Sequence, residues 1–351
     1  MPAKWGCAGE KGATQVISQQ KPERGMRLHL LGVRICSGAT MLLFLSRVAL
    51  GGESAPVRAA PSGEAAPAIN PLGNLPSKPG AHIEKVKSLA DNTWLKLDTP
   101  APDPKYGRAC ARSWAGKAMV LANDLRGALY TGEGPHAYVK PDGYGLDDYW
   151  FYDLNANAWI CLYPGTDVKN FTAKVQNKEI VVDDNGIVVD KSGQPIPGHL
   201  LIHAWGFLTY NPDDRKFAFL PVSKTGFKRY FMPGLGKREE VYNMEQGFKE
   251  LEAQLSIKKP APVTPWFYDV RTGKFELYVR KDGGKGDYSM GFPQFCYIPT
   301  KKCYFSGSSA GVGFFDPKTM SWRRVETPGV LPKGFDFGAC YDSKRDRVYM
   351  G

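Results

Sequence analysis

The sequence has few of the residues and motifs that mark common enzyme classes. It holds five histidines among 351 residues. It contains no HExxH zinc motif, no phosphate-binding glycine loop, no CxxC pair and no SxDxGxxW sialidase motif. The sequence motifs therefore predict no cofactor and no metal, and they assign no catalytic residue.

Long apolar runs and basic stripes are also missing. The apolar stretch 35–45 (ICSGATMLLFL) is shorter than the roughly 20 residues that a membrane-spanning helix needs. The net charge is +11, but residues 1–60 carry eight basic and three acidic residues, which accounts for about half of it. The remaining basic residues form no stripe interleaved with aromatics, as nucleic-acid binding would require. We expect neither a stable membrane span nor a nucleic-acid partner.

The first 90 residues are predicted to lie outside the folded domain. A basic start after Met26, the apolar stretch and the small residues of 49–51 fit a secretory signal peptide at about 26–51, preceded by an extension. Residues 52–90 are rich in Ala, Pro and Gly and read as a disordered linker. We expect residues 1–80 to pack on nothing and the fold, assigned to 91–351, to begin near Asn92. The protein is therefore predicted to be secreted or periplasmic.

Glycine, proline and aromatic residues are abundant. The chain has 39 Gly, 27 Pro, 17 Tyr, 18 Phe and 8 Trp. This composition is typical of many short strands joined by turns, and it excludes a coiled coil and wholesale disorder. The sequence therefore predicts an all-β fold.

One sequence element recurs three times, as WFYDLNANAW (150–159), WFYDVRTGKF (266–275) and GFFDPKTMSW (313–322). Two aromatics and an aspartate precede a polar turn, and an aromatic follows seven residues after the second aromatic. We interpret this as a strand, a turn and a second strand. The aspartate is expected to accept hydrogen bonds from backbone N–H groups of the turn. The expected structural residues are Asp153, Trp159, Asp269, Phe275, Asp316 and Trp322.

A second element precedes the first and predicts a hairpin. It occurs at 208–220, 295–307 and 339–351, with a degenerate version at 111–123, and Tyr297 and Tyr341 are 44 residues apart. A four-stranded unit with this period is a propeller blade. The order of these features resembles the kelch repeat over about residues 93–351: a hairpin, then paired aromatics, an aspartate and a tryptophan. The resemblance implies a β-propeller of four-stranded antiparallel blades, like the galactose-oxidase central domain.

The predicted blades do not complete a ring. Three would occupy about 107–163, 199–279 and 292–326, and a fourth would begin near Phe337, giving about three and a half. Trp94 resembles Trp322 and is predicted to begin an outer strand that completes the last blade. Known propellers have about four to eight blades, so we expect the chain to be the N-terminal fragment of a longer exported protein of bacterial type. We also expect this fragment not to be a stable monomer, because its open sheet edges are apolar.

Three long connections are predicted to leave from one face of these blades. They span 122–147, 164–198 and 221–265, and strand parity places all of them on the same side. Within them, 178–190 is predicted to form a hairpin turning at Asn185-Gly186, and 237–257 to form an apolar-striped helix that packs on this face. Long loops on a rigid scaffold commonly carry binding sites.

The candidate ligand-binding residues lie mainly in the first connection. Aromatics beside carboxylates can stack on and hydrogen-bond a sugar, although such a composition is also ordinary for a loop. A histidine pair with spacing four on one strand can ligate a metal, but satisfied structural histidines are the stronger interpretation. The candidates are His136, Tyr138, Asp142 and Tyr144 in the loop, with His199 and His203 on the strand.

Five cysteines follow the predicted leader, an odd number for an exported chain. Cys296 and Cys303 would form a disulfide only if they face each other across their hairpin; otherwise they are buried apolar residues.

Two functions remain open. The first is a non-enzymatic exported scaffold that binds a carbohydrate or protein through the loops on one face. The second is part of a propeller-based oxidoreductase or glycan-active enzyme whose catalytic residues lie in further blades. The copper-radical site of galactose oxidase has no matching residues here, so we expect this part of the protein not to be an enzyme by itself.

Overall fold

The structure is a computed structural model. It describes residues 70–110, 119–131, 140, 142–197, 206–220, 239–258, 260–284, 294–308, 311–327 and 339–350. Among these residues, none of the helices is both long enough and apolar enough to cross a membrane.

The described residues form an all-β fold, as the composition predicted. Among the described residues, three antiparallel sheets have four strands each, a fourth sheet has two, and an inserted hairpin forms a further two-stranded sheet. Their strands follow one another in sequence, so each sheet is a simple meander. The first sheet contains β1 (Met119–Ala122), β2 (Gly127–Tyr130), β3 (Tyr149–Asp153) and β4 (Ala158–Tyr163). An inserted hairpin follows, with β5 (Ile180–Val182) and β6 (Val188–Asp190). The second sheet contains β7 (Leu208–Asn211), β8 (Lys216–Phe219), β9 (Trp266–Asp269) and β10 (Lys274–Glu276).

The third sheet is the most regular. It contains β11 (Gln294–Ile298), β12 (Cys303–Ser308), β13 (Gly311–Asp316) and β14 (Ser321–Val325), and the two-stranded sheet contains β15 (Ala339–Asp342) and β16 (Arg347–Met350). The helices are α1 (His82–Lys87), α2 (Phe171–Gln176) and α3 (Glu239–Lys258). Across the described residues the sheets do not close into a ring.

Two repeated turns explain the spacing of the strands. In each turn after paired aromatics, the aspartate accepts a hydrogen bond from the backbone N–H two residues later. The N···O distance is 2.9 Å for Asp153 and 2.8 Å for Asp269 and Asp316. A left-handed residue ends each of these turns, and another ends each turn between the first two strands of a sheet. The residues are Asn157, Gly273 and Met320 in the first set, and Arg126, Arg215, Lys302 and Asp346 in the second. The predicted role of the aspartates is therefore confirmed.

The first strands of successive sheets lie side by side, with β7 between β1 and β11, and β15 next to β11. Tyr297 of β11 donates its hydroxyl proton to Asp213 in the preceding hairpin (2.6 Å), and Lys302 pairs with the same carboxylate at 2.7 Å. Equivalent contacts join the first sheet to the second: Tyr210 donates its hydroxyl proton to Asp124, and Arg215 pairs with the same carboxylate. These polar contacts fix the order in which neighbouring sheets pack.

Large aromatics fill the space between the sheets. Phe275 of the second sheet packs edge-on against Tyr149 of the first, with ring centroids 4.9 Å apart. Trp322 joins the cluster between the second and third sheets. Trp159 instead packs within its own sheet, 5.4 Å from Tyr152 and 5.5 Å from Tyr130. The aromatic that closes each repeat is thus a packing residue.

The first sheet departs from the predicted register. Its opening hairpin turns at Asn123–Leu125, between β1 and β2, so the expected hairpin over 111–123 was placed too early. The left-handed residue of this turn is Arg126, and the turn was missed because Leu121 of β1 stands where the other copies have tyrosine. Trp94, predicted to begin an outer strand of the last blade, lies in no strand among the described residues and is 98% exposed, and its pairing stays a prediction.

The predicted linker is partly folded. Residues 1–69 lie outside the described residues, but residues 70–83 cross the turns of the first two sheets. The Asn70 side-chain amide donates to the carbonyls of Val270 (2.8 Å) and Arg271 (2.9 Å), and Leu72 is buried in the core shared by these sheets. The Asn155 side-chain amide donates to the Pro76 carbonyl at 3.0 Å. We call residues 70–83 the strap. Its Ala-, Pro- and Gly-rich composition did not predict it, since the contacts depend on a few apolar side chains, such as Leu72 and Leu75, and on amide hydrogen bonds.

The insertions after the first sheet pack on each other. Strands β5 and β6 confirm the predicted hairpin, in which Gly186 has a φ of +76°. Helix α3 confirms the predicted helix, and Phe248 and Leu251 pack against α2 and the hairpin. The described parts of the connections 164–198 and 221–265 therefore pack on each other. The cysteines of the described residues form no disulfide, and Cys303 lies opposite Ile298 while Cys296 lies opposite Phe305.

Candidate functional site

A groove of about 340 Å³ opens where the first and second connections meet. Tyr144 contributes from the first connection, and Tyr163 and residues 164–167 from the end of β4. Helix α2 and the β5–β6 hairpin form the other wall, with Phe171 and Ile180 as its apolar part. The groove is therefore built from segments that the repeat does not explain, within two of the connections that were predicted to be long.

A short antiparallel ladder holds Tyr144 in place. Tyr144 bridges to Asp167, and the Gly145 N–H donates to the Thr166 carbonyl at 2.8 Å. Gly165 has a φ of +98°, and a Cβ there would lie 2.2 Å from the Gly145 carbonyl oxygen. Only glycine allows the two segments to approach this closely. The ladder makes this wall of the groove a rigid element rather than a loose loop.

A buried ion pair anchors the same segments. Lys140 Nζ lies 3.1 Å from Asp148 Oδ2 and donates to the Pro164 carbonyl at 2.8 Å. The Lys140 and Asp148 side chains are 5% and 0% exposed. Trp150 Nε1 donates to the same Asp148 oxygen at 2.7 Å. The lysine thus ties the first connection to the start of the second.

Asp147 lies behind the groove wall and is completely buried. Its two carboxylate oxygens accept the backbone N–H of Thr166 (2.7 Å) and the Thr166 hydroxyl (2.5 Å). Burial raises the pKa of Asp147 from 3.8 to about 6, because loss of hydration penalises the charged form more than these hydrogen bonds stabilise it. The charged form of Asp147 therefore lowers the stability of the folded protein. This residue lies directly behind Thr166, which lines the groove.

Replacing Asp147 with asparagine is expected to stabilise the protein at pH 7.5. The folded state holds the Asp147 proton more tightly than the unfolded state, so this group's contribution to stability falls as pH rises from about 4 to 6. A pKa difference of this size lowers the free energy of unfolding by about 3 kcal/mol at a pH above both pKa values. Asp147→Asn would recover a large part of this free energy.

Urea unfolding at pH 4, 5, 6 and 7.5 measures this effect. Asp142→Asn is the control, because that side chain is half-exposed. A parallel stability profile for Asp147→Asn and the unsubstituted protein would show that Asp147 does not titrate between pH 4 and 6.

Charged side chains occupy the rims of the groove. Lys174 Nζ pairs with Asp167 at 2.8 Å, so that cation is neutralised. Asp190 Oδ1 accepts the Ser192 and Gln194 N–H groups and shapes the end of the hairpin. Glu179 and Lys191 complete the rims. The groove thus combines two tyrosines and the apolar side chains of Phe171, Ile180 and Ile196 with carboxylates and ammonium groups.

The structure tests only part of the predicted site. Tyr144 lines the groove, and Asp142 lies beside it with Oδ2 3.6 Å from Lys140 Nζ. The other four candidates lie outside the described residues: His136, Tyr138, His199 and His203. The second connection supplies most of the wall, including Asp167 and Lys174. Its length signalled an insertion, but its residues carry no motif that identifies a groove.

No protein-family model matches the chain, and a search of curated proteins returned no match. The functional interpretation therefore depends on the geometry of the groove.

Proposed function

We propose that this chain is part of an exported, kelch-like β-propeller that binds a carbohydrate in the groove formed by its long connections. The observation that carries the proposal is the combination of the Tyr144 and Tyr163 rings with the Asp167 and Glu179 carboxylates in one groove. Aromatic faces pack on the apolar faces of sugars, and carboxylates accept hydrogen bonds from sugar hydroxyls.

Two further features support binding at this place. The ladder and the Lys140 ion pair hold the wall in a fixed geometry, which lowers the entropy lost on binding. The raised pKa of Asp147 shows a buried carboxyl kept at a cost to stability, and such groups cluster at functional sites. Side-by-side four-stranded sheets and the repeated turns support the kelch-like part of the proposal.

A glycan-active enzyme is the second candidate. The groove itself is compatible with it, since a glycan-active enzyme must first bind its substrate in such a place. In the form predicted from the sequence, the catalytic residues lie in further blades and this chain contributes the binding groove. Product analysis after incubation with each bound glycan separates this candidate from simple binding.

Substitution of Tyr144 is the direct test of the groove. Screening the full chain against a set of oligosaccharides, followed by calorimetric titration, provides the affinity. Tyr144→Ala is expected to weaken binding about tenfold, because an aromatic contact is worth about 1.5 kcal/mol.

Two variants control for this test. Tyr144→Phe keeps the ring and should bind nearly as well as the unsubstituted protein. Tyr278→Ala removes a 40% exposed tyrosine that does not line the groove and should have no effect. The carbohydrate proposal fails if no oligosaccharide binds, or if Tyr144→Ala binds as tightly as Tyr278→Ala.

A further inference from the structure

Three polar groups connect the buried Asp147 to the wall of the groove. Asp147 Oδ2 accepts the Thr166 hydroxyl proton at 2.5 Å, and Thr166 Oγ1 lies 3.4 Å from the Tyr163 hydroxyl oxygen. Asp147 and Thr166 are buried, whereas Tyr163 is only partly buried. Thr166 and Tyr163 both line the groove. We call these three groups the hydrogen-bond relay, which links a carboxyl group behind the groove to the wall that a ligand would contact.

The number of protons in the hydrogen-bond relay determines its direction. An ionised carboxylate only accepts hydrogen bonds, whereas a hydroxyl group has a single proton to donate. Because the Thr166 hydroxyl donates its proton to the Asp147 carboxylate, the same hydroxyl can only accept from Tyr163. The Tyr163 proton is then directed at Thr166. Its oxygen therefore presents only lone pairs to the groove.

We propose that Asp147 makes the groove select ligands that donate a hydrogen bond to the Tyr163 oxygen. Asp147 acts through Thr166 and is therefore a positioning residue. This inference rests on the proposed carbohydrate-binding function, and it names the group that is recognised: a free sugar hydroxyl, in preference to an ether, an ester or a fluorine at the same position. A site built to hydrogen-bond a substrate hydroxyl strongly rejects an analogue that lacks it.

A neutral side chain at position 147 reverses the hydrogen-bond relay. A protonated Asp147 donates to Thr166 Oγ1, so the Thr166 proton turns toward the Tyr163 oxygen and the Tyr163 proton becomes available to a ligand. The side-chain amide of Asp147→Asn has the same effect at any pH. Burial raises the pKa of Asp147 to about 6, so the reversal in the unsubstituted protein takes place between pH 7.5 and pH 5.

The other titratable groups around the relay do not reverse it. Asp147 faces Asp148 and Tyr149 from its own segment and Tyr163 from the end of β4. Burial raises the pKa of both tyrosines well above the usual value, so their hydroxyl groups stay protonated. Two ion pairs hold the nearby charged side chains: Lys140–Asp148 and Lys174–Asp167. Asp147 is therefore the group whose protonation sets the direction of the relay.

Raman spectroscopy measures this direction without a ligand. The intensity ratio of the tyrosine Fermi doublet is low when the hydroxyl donates and high when it accepts, and subtracting the spectrum of Tyr163→Phe isolates Tyr163. We expect a low ratio at pH 7.5, and a higher ratio both at pH 5 and in Asp147→Asn at pH 7.5. Asp184→Asn is the control, because that side chain is fully exposed and does not line the groove. A ratio that changes neither with pH nor with Asp147→Asn overturns the inference.

Fluorinated sugars test the selection itself. The probes are the methyl glycosides of glucose, galactose and mannose and their monodeoxyfluoro derivatives, titrated by NMR. Fluorine replaces a hydroxyl but has no proton to donate. At one ring position, fluorine should weaken binding to the unsubstituted protein at pH 7.5 by about tenfold or more. The same derivative should lose less than about threefold with Asp147→Asn, with Tyr163→Phe, or at pH 5.

The outcomes separate this inference from the proposed function. If a glycoside binds but no fluorine effect depends on Asp147, the selection by Asp147 is wrong and carbohydrate binding stands. If none of the probes binds, the Raman ratio alone decides whether the hydrogen-bond relay exists, while the oligosaccharide screen decides the proposed function. Asp184→Asn should keep the fluorine effect, and its loss there would show that any removal of a carboxylate is sufficient, which also contradicts the inference.

Discussion

Replacing Lys140 with methionine is expected to lower the free energy of unfolding by about 3–5 kcal/mol. Methionine keeps most of the apolar volume but removes the ammonium that neutralises the fully buried Asp148 carboxylate. Breaking one side of a buried ion pair carries a cost of this order because the remaining charge stays out of water. The loss also releases the Pro164 carbonyl from its 2.8 Å hydrogen bond. Urea unfolding at pH 7 measures the change.

Lys174→Met provides the matched control. Lys174 pairs with Asp167 at 2.8 Å, but these side chains are 36% and 17% exposed. Such a hydrated pair contributes about 1 kcal/mol or less. The double variant Lys140→Met/Asp148→Asn should recover part of the stability, since it removes the buried charge. If Lys140→Met and Lys174→Met unfold at the same urea concentration, the Lys140 ion pair is not closed in solution.

Replacing Leu72 with alanine is expected to lower the free energy of unfolding by about 2–5 kcal/mol. Leu72 is 4% exposed and belongs to the core cluster shared by the first two sheets. Its truncation would leave a cavity at the turn of the second sheet, and a buried leucine-to-alanine change has a cost in this range. Asn70→Ala should add to it by removing donors to the Val270 and Arg271 carbonyls.

Leu89→Ala is the control, because that leucine is 42% exposed and its removal should change stability by less than about 0.5 kcal/mol. Proteolysis gives a second measurement: cleavage within residues 70–83 should require unfolding of the sheets. Rapid cleavage there without loss of the folded sheets would restore the predicted linker in place of the strap.

The repeat was strong enough to predict three of the sheets. The pattern of paired aromatics, aspartate and a closing aromatic fixes a strand, a turn and a strand locally, because the aspartate accepts the turn N–H and a left-handed residue ends the turn. The first hairpin was misplaced because Leu121 stands where the other copies have tyrosine. A one-residue difference in such a weak pattern moves the assignment to a different segment.

The candidate site was predicted only in outline. Strand parity directed attention to the long connections, and Tyr144 was identified from its aromatic and acidic surroundings. Asp147 and Lys140 were not singled out by any motif. Their importance arises from burial, since an aspartate in a loop becomes costly only when the fold removes its water.

The sequence by itself determined the all-β class, the recurrence of the sheets, the turn-forming aspartates, the β5–β6 hairpin and helix α3. Each of these depends on contacts within a few residues, which alternation and turn chemistry encode directly. Only the tertiary structure decided that the strap packs on the sheets, that Trp94 is exposed and that Tyr144 meets Asp167 across a groove. These features depend on contacts between segments far apart in the chain, and no local pattern records which distant segments will meet.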